Sequence, residues 1–444
     1  MGCATSVYAS VGKKKRIVQE SVVFVLQLRV PVQSDLQRQL KGVAPKTTVE
    51  RLACLRNQIQ LVAEDTGGSA ISELRTALEE YLSLLTGIVK KNYCAVTKSN
   101  VHIRVFNFVE NDGMEGCVEF KWKTLGDGRR AELCFTNLWM EMLTVIHMMA
   151  ALALTEANSL MIPKACSDSS NSVRVVSSDC RRDAVDLLLK ASGYLEFCIR
   201  EILTRFPPDI KSKLPDDMQE SVLQTLSIQA LGQGTEIQLG LAVDSQKATL
   251  SVKRRLACEQ VIYFSQAYQC LSGCDVVSHG CAKKLLRFIY WKFLEAKAAA
   301  YYYHGLVIDK GNEPACHVSA VCCFLAAAEL LAESKKACFS FCLAPPVTRA
   351  PPMWGVMKHL SQKIPEVAFR KSQTYGYLLE EEEKAMQCLP ELPDFQLSLR
   401  PEEFELPEIE AGSSEGNQTH LLSEHLEDYS DNHDDDEDND ELDH

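Results

Sequence analysis

Three features of the chain predict a mostly α-helical fold with tetratricopeptide-like helix pairs and one small β-hairpin. Apolar residues recur at helical spacing from about Val49 onward. One stretch breaks that pattern with β-branched and aromatic residues. Towards the C-terminus, EAKAAAYYYHGLVIDKGNEPACHVSAVCCFLAAAELLAESKKA reads as helix, turn, helix, with small residues interleaved among large ones as in tetratricopeptide pairs. No three segments share a fixed period, so the repeat character is local.

The first sixteen residues, MGCATSVYASVGKKKR, are not a secretory signal, which would need an apolar run of about 7–15 residues after its basic region. They match M-G-x-x-x-[ST]: Gly2 is the predicted myristoylation site, Ser6 supplies the hydroxyl, and Cys3 is placed for palmitoylation. Lys13, Lys14, Lys15 and Arg16 add a positive patch suited to an anionic membrane surface. One myristoyl chain binds membranes only at about 10⁴ M⁻¹, so the second signal is what makes attachment stable.

Val101 to Val109 and the run CVEFKWK from Cys117, separated by a turn containing Asp112 and Gly113, are the predicted hairpin. Next comes LWMEMLTVIHMMAALALTEAN, apolar nearly all round and therefore covered on several sides. Its most apolar run, Met142 to Leu154, falls short of the roughly 18 residues a span requires and contains His147, which predicts a core helix and only peripheral membrane attachment. The helix Arg181 to Phe206 has a core stripe of Ala184, Leu188, Ala191, Leu195, Ile199 and Ile202 and stops at Pro207 and Pro208. Leu187, Tyr194 and Phe197 fall off that stripe, on the side of Asp186, Lys190 and Glu201. Apolar residues there imply a second buried face or an exposed docking patch.

Asp217 to Glu220 reads as a capping box opening the next helix, whose Gly232, Gly234 and Gly240 imply close helix packing and not a nucleotide loop. After a further helix through about Cys388, the Pro-punctuated LPELPDFQLSLRPEEFELPEIE is predicted to be extended and to lie along the body.

The net charge of −13 is carried by the end of the chain, where Glu410 to His444 holds fourteen acids and no Lys or Arg. The body is left close to neutral, which argues against nucleic acid as the partner. The predicted organisation is an anchor segment at 1–19, a helical domain at 20–408 and a disordered acidic tail at 409–444. The eighteen cysteines sit in apolar helical runs and read as reduced and cytosolic, which leaves the sequon at Asn417 unused. Cys270, Cys274, His279 and Cys281 match no zinc module, and no metal or cofactor is expected. No catalytic constellation is present, and the adjacent Cys316 and His317 make none, so the chain is not read as an enzyme.

EMLTVIHMMAALALTEAN, LLLKASGYLEFCIREIL, TLSIQALGQGTEIQ, and AYYYHGL with AAAELLAESKKA, in that order, resemble the BRO domain of the ALIX family. The hairpin before Leu138 and the late MQCLPELPDF sit where that domain has a hairpin and a closing extended strand. The resemblance covers roughly residues 20 to 400. It departs at Gly232, Gln233, Gly234, Thr235 and Glu236, where the family usually has Ala-Gln-Ala-Gln-Glu, so packing there is expected to differ. No coiled-coil arm, proline-rich tail or C-terminal prenylation signal follows, which suggests a stand-alone BRO-domain protein with its membrane anchor at the N-terminus. The resemblance implies a curved helical scaffold that binds the C-terminal helix of an ESCRT-III subunit, at the cytoplasmic face of endosomes or the plasma membrane. It also places the partner-binding surface near Leu187, Tyr194 and Phe197, with the helices around Met142–Leu154 or Leu223–Leu231 as the fallback. The alternatives are an unrelated tetratricopeptide-like adaptor and a cytosolic enzyme with an unrecognised site.

Overall fold

A computed structural model of the chain describes residues 20–64, 70–96, 119–123, 132–163, 176–274, 280–350, 355–381 and 389–407. Its elements run α1 (Leu36–Gln39), α2 (Lys46–Glu64), α3 (Ala70–Val96), β1 (Phe120–Lys123), β2 (Glu132–Phe135), α4 (Leu138–Met161), α5 (Ser178–Phe197), α6 (Pro208–Lys211), α7 (Glu220–Asp244), α8 (Leu250–Leu271), α9 (Gly280–Ile308), α10 (Pro314–Leu343) and α11 (Gly355–Glu381). Each long helix packs on the next: α2 on α3, α3 on α4, α4 on α5, α5 on α7, and so on to α11. Where the connections are short, as between α7 and α8 or α9 and α10, such near-neighbour packing is what antiparallel helix pairs produce. The last helix also folds back onto α7.

Local chemistry sets the helix boundaries. Asn137 caps α4 by accepting from the Trp139 amide at 2.8 Å, and Ser177 caps α5 by accepting from Cys180 at 3.1 Å. Beyond Phe197 the helix continues as a π turn, Cys198–Ile202, and a 3-10 turn, Leu203–Arg205, before Pro207 ends it. Pro314 at the first position of α10 uses no amide that the helix needs. Asp217, expected as part of a capping box, is not a cap. Gln219 holds the N-cap position of α7 without a side-chain capping bond, its side-chain amide donating instead to Leu214 O at 2.7 Å, while the Asp217 carboxylate accepts from Arg29 at 2.6 and 2.7 Å in the interior. A buried guanidinium needs a carboxylate more than an exposed helix end needs a cap.

The hairpin also differs from expectation. The region 101–118 lies outside the described residues, and β1 pairs antiparallel with β2, Phe120 opposite Phe135 and Trp122 opposite Leu133. On its other edge β1 receives the extended N-terminal chain, with Val32 N–H to Lys121 O at 2.8 Å and Lys123 N–H to Val30 O at 2.9 Å. Phe120 and Trp122 point into the core and Lys121 and Lys123 away from it, the period-2 alternation of a half-buried strand. ELCF escapes a sequence reading because four residues after a Gly- and Arg-rich stretch carry too little alternation.

Two helices, α4 and α10, are long and apolar enough to cross a membrane by length and composition, which corrects the expectation that none is. In α4 that character is spent on the core: Met142, Leu143, Val145, Ile146 and Leu154 are fully buried. Asn158, at its far end, ties down the start of the body by accepting from the amides of Val22 and Val23 at 2.8 and 3.0 Å.

Candidate functional site

On α5 the predicted core stripe holds: Ala184, Leu188, Ala191 and Leu195 are fully buried, Ile202 continues the stripe into the π turn, and Ile199 is half-buried. The residues off the stripe are not an open patch. Leu187 and Phe197 are half-buried, and Tyr194 is only 4% exposed. The cover is Phe404, whose ring meets Tyr194 edge-on at 4.7 Å and Phe197 at 5.1 Å. Lys190 stands 5.8 Å from the Tyr194 ring, and Asp186 and Glu201 face water. The fallback helices offer no groove either, since Met142–Leu154 is buried throughout and Leu223–Leu231 exposes only Gln224.

Phe404 belongs to an extended strap, residues 389–407, the Pro-punctuated segment expected to lie along the body. It crosses α8 first, where Ser398 donates its amide at 2.9 Å and its hydroxyl at 2.5 Å to Glu259, and the Tyr263 hydroxyl donates to Leu399 O at 2.7 Å. On α7 the Leu399 side chain passes 3.0 Å from where a Gly234 Cβ would stand. On α5 the Glu402 amide donates to Leu189 O at 3.1 Å, and Glu402 O lies only 2.0 Å from a Cβ built on Gly193. Only glycine admits that approach. On α3, Lys90 Nζ reaches Pro407 O at 3.3 Å.

Charged groups the sequence did not flag are buried between the helices. Glu141, fully buried, accepts from Arg56, from the Tyr81 hydroxyl at 2.8 Å and from the Trp122 indole at 2.7 Å. The Arg29–Asp217 pair is joined by His147, whose Nε2 lies 3.7 Å from Asp217. Burial lowers the His147 pKa from 6.5 to about 4, so the ring is neutral at pH 7. Lys292 sits between Glu236 at 2.9 Å and Glu295 at 3.0 Å. Burial alone would lower its pKa, but the two carboxylates outweigh that and hold the ammonium charged. Burial also raises the Glu236 carboxyl against the pull of Lys292. This triad borders a partly open cavity of about 220 Å³ lined also by Trp291, Leu331 and Met357. Glu236 and Gln233 belong to the divergent GQGTE run, whose Gly232 lets Tyr263 and Phe264 of α8 approach closely.

Beside Cys316, His317 has its Nδ1 3.0 Å from Asp309, which also binds Lys371 at 2.6 Å, and its ring stacks on Tyr375 at 4.5 Å. That cluster joins the ends of α9, α10 and α11. Among the described residues no three His, Cys, Asp or Glu side chains are grouped to hold a metal, and Cys270, Cys274 and Cys281 are free thiols. The predicted anchor residues Gly2, Cys3, Lys13, Lys14, Lys15 and Arg16, and the acidic region from 409, lie outside the described residues. The described body begins at Glu20, paired in a parallel bridge with Arg349, and Ser21 N–H donates to Arg349 O at 3.2 Å.

Comparison with known proteins gives the array a context. The family model of the BRO1-like domain matches residues 47–364. No curated protein sequence matches the chain. Among solved structures, the ALIX BRO1 domain in its complex with CHMP4C is similar at TM-score 0.59 and 16% identity, over 87% of this chain and 96% of that one. ALIX in complex with the SIVmac239 PYKEVTEDL late domain is similar at TM-score 0.60 and 17% identity, over 87% of this chain and 49% of that one. A Bro1 domain described as a basis for endosomal targeting is similar at TM-score 0.57 and 13% identity, over 87% and 94%.

Proposed function

The chain belongs to the BRO1-like domain family, and from that premise we propose that it is an ESCRT-associated adaptor that binds the C-terminal amphipathic helix of an ESCRT-III subunit. The observation that carries this reading is the match of the helical array, over 87% of the chain, to a BRO1 domain solved with CHMP4C. Membership also removes the alternative of an unrelated tetratricopeptide-like adaptor. Recognition would be of the helix-in-groove kind, with apolar anchors at i, i+3, i+4 and i+7 of the partner set against an apolar surface.

The docking side we assign is that of Leu187, Tyr194 and Phe197. The partner helix would run beside the strap, its anchors against the half-buried Leu187 and Phe197, with Tyr194 under Phe404 as the floor. Phe197→Asp should therefore abolish binding at some cost in stability, since the ring already packs on Phe404 and the new charge becomes fully desolvated only in the complex. Tyr194→Asp should instead lower the melting temperature, since that ring is already covered. The measurement is fluorescence anisotropy with a panel of labelled ESCRT-III C-terminal helices. Failure of every helix to bind the intact chain would sink the reading.

The adaptor would be held on the cytoplasmic face of endosomes or the plasma membrane by myristate on Gly2, palmitate on Cys3 and the Lys13–Arg16 patch. Confining scaffold and polymer to one surface raises their effective concentration, so modest affinity suffices. Gly2→Ala should release most of the protein from membranes, because acylation of Cys3 follows that of Gly2. Membrane fractionation with intact-mass analysis decides the point, and a retained, unmodified Met1 would refute it. The acidic tail from 409 is read as independent of the body, with too little apolar surface to offset its ordering.

A further inference from the structure

The most apolar long helix of the body leaves much of its apolar surface in water. On α10, Leu325 is 45% exposed, Phe339 66% and Leu343 57%; with the exposed Ala332 they fall at helical steps on one face. The turn after the helix adds Val347 at 58%. That turn is held in place from behind. Lys284 Nζ donates to Ala344 O at 2.9 Å, to Pro346 O, and to Thr348 Oγ1 at 3.2 Å, while the Thr348 amide donates to Cys342 O at 3.1 Å.

Basic residues ring this end of the molecule. Lys335 and Lys336 flank Phe339 on the exposed side of α10, Lys283 is exposed beside Lys284, and Arg287 reaches Ser340 O at 3.3 Å. Among the described residues Lys283, Lys335, Lys336 and Arg349 have no carboxylate partner. The exposed acids Glu329 and Glu333 stand just before Lys335 and Lys336 on the same helix, which confines the basic, apolar end to residues 335–343 and the turn behind them, and Glu20 lies against Arg349. The same end receives the N-terminal chain at the Glu20–Arg349 bridge. Arg16 is four residues from Glu20 and Lys13 seven, at most about 14 and about 25 Å of chain, so the Lys13–Arg16 patch is tethered within about 25 Å of Glu20.

We propose that the C-terminal half of α10 and the turn behind it form a membrane-facing surface, in which Phe339, Leu343 and Val347 enter the headgroup layer of an anionic bilayer while Lys283, Lys335 and Lys336 meet its phosphates. Protruding apolar side chains with unpaired cations around them suit a fluid, negatively charged layer. A groove for a partner helix would instead recess its apolar residues in a concavity. The surface deepens the reading of a membrane-attached adaptor: the acyl chains hold the protein to the bilayer, and this face fixes which side of the helical array looks down.

The test is co-flotation of the full chain with vesicles of phosphatidylcholine, with and without 30% phosphatidylserine. Phe339→Ser/Leu343→Ser should lower partition onto the anionic vesicles about tenfold, and Lys335→Glu/Lys336→Glu should remove its salt-sensitive part. Leu61→Ser, at a 71% exposed leucine on α2, serves as the control and should change nothing. Melting temperatures establish that each variant is folded, and Val347→Ser in the turn replaces the double variant if that one is not. Equal partition of variant and wild type, whether both bind or neither does, overturns the proposal. So does a variant that keeps its vesicle binding but loses an ESCRT-III helix, which would make the face a protein interface. Gly2→Ala separates the two ideas. If acylation fails but the Phe339/Leu343 effect persists, the surface stands without the anchor.

Discussion

Helices α4 and α10 are built from similar residues and put to different uses. In the most apolar 18-residue stretch of α4, 83% is buried, whereas in the more apolar stretch of α10 only 39% is. Apolar content alone therefore does not tell a core helix from a surface one. Position in the array does: α4 is covered by α3, α5 and Trp122 of β1, while α10 lies near the end of the row and among the described residues packs chiefly on α9 and α11. One helix serves the fold, and the other keeps a face for contacts beyond it.

The comparison breaks most sharply under the same substitution at one site in each. Leu143→Asp places an unpaired charge where no water reaches, and should cost more than about 4 kcal/mol, leaving no cooperative unfolding transition. Phe339→Asp should change stability by less than about 0.5 kcal/mol. Urea denaturation followed by circular dichroism reads both. A large loss at Phe339 would mean that α10 is as much a core element as α4.

Acid sharpens the contrast next, because the titratable ring in α4 is buried. His147 takes up a proton near pH 6.5 when the chain is unfolded but only near pH 4 in the fold. The unfolded state thus binds the extra proton between those values. The contribution is complete above pH 6.5 and is lost as the pH falls to 4, by about 3 kcal/mol. His147→Leu should flatten that part of the stability profile, whereas substitutions on the outer face of α10 should leave its slope unchanged.

The smallest of the three effects asks whether burial of α5 depends on the strap. Gly193→Ala gains helix propensity of about 1 kcal/mol but sets a methyl against Glu402 O, so the strap must shift. A net loss of about 1–2 kcal/mol is expected. Hydrogen exchange should locate the loosening at residues 398–404 and the turns of α5 beneath them, with α4 and α10 unaffected. Uniform loosening would show that the strap is not a separable layer.

Much of this architecture was legible in the chain. The periodicity of α5, its stop at Pro207, the two helices joined near Asp309 and the extended Pro-punctuated run are local signals, and local signals survive folding. What stayed hidden depends on residues far apart in sequence. Asp217 has the spacing of a cap, and only the arrival of Arg29 makes it half of an internal ion pair. Whether Tyr194 and Phe197 form a second buried face or a free patch stays open until Phe404, two hundred residues later, covers them. Gly193, in mid-helix beside that patch, was the available hint that a backbone passes close by. The open face of α10 was hidden for the opposite reason: a helix apolar all round gives no periodicity from which to choose the wet side.

The strap also sets an order of events during synthesis. Most packing within the helical array joins neighbours in the row, the return of α11 onto α7 and the N-terminal segment excepted, whereas the strap's contacts link residues 136 apart at Tyr263–Leu399 and 317 apart at Lys90–Pro407. Closing such long loops is entropically the more costly step, and a ribosome releases residues 389–407 only after every helix has emerged. The nascent chain therefore assembles its row of helices with the aromatic side of α5 open, and seals that side last. Until then Tyr194 and Phe197 are exposed to whatever binds apolar surface near the exit tunnel, so a chain cut off before Leu389 should be retained by chaperones even though all its helices are present.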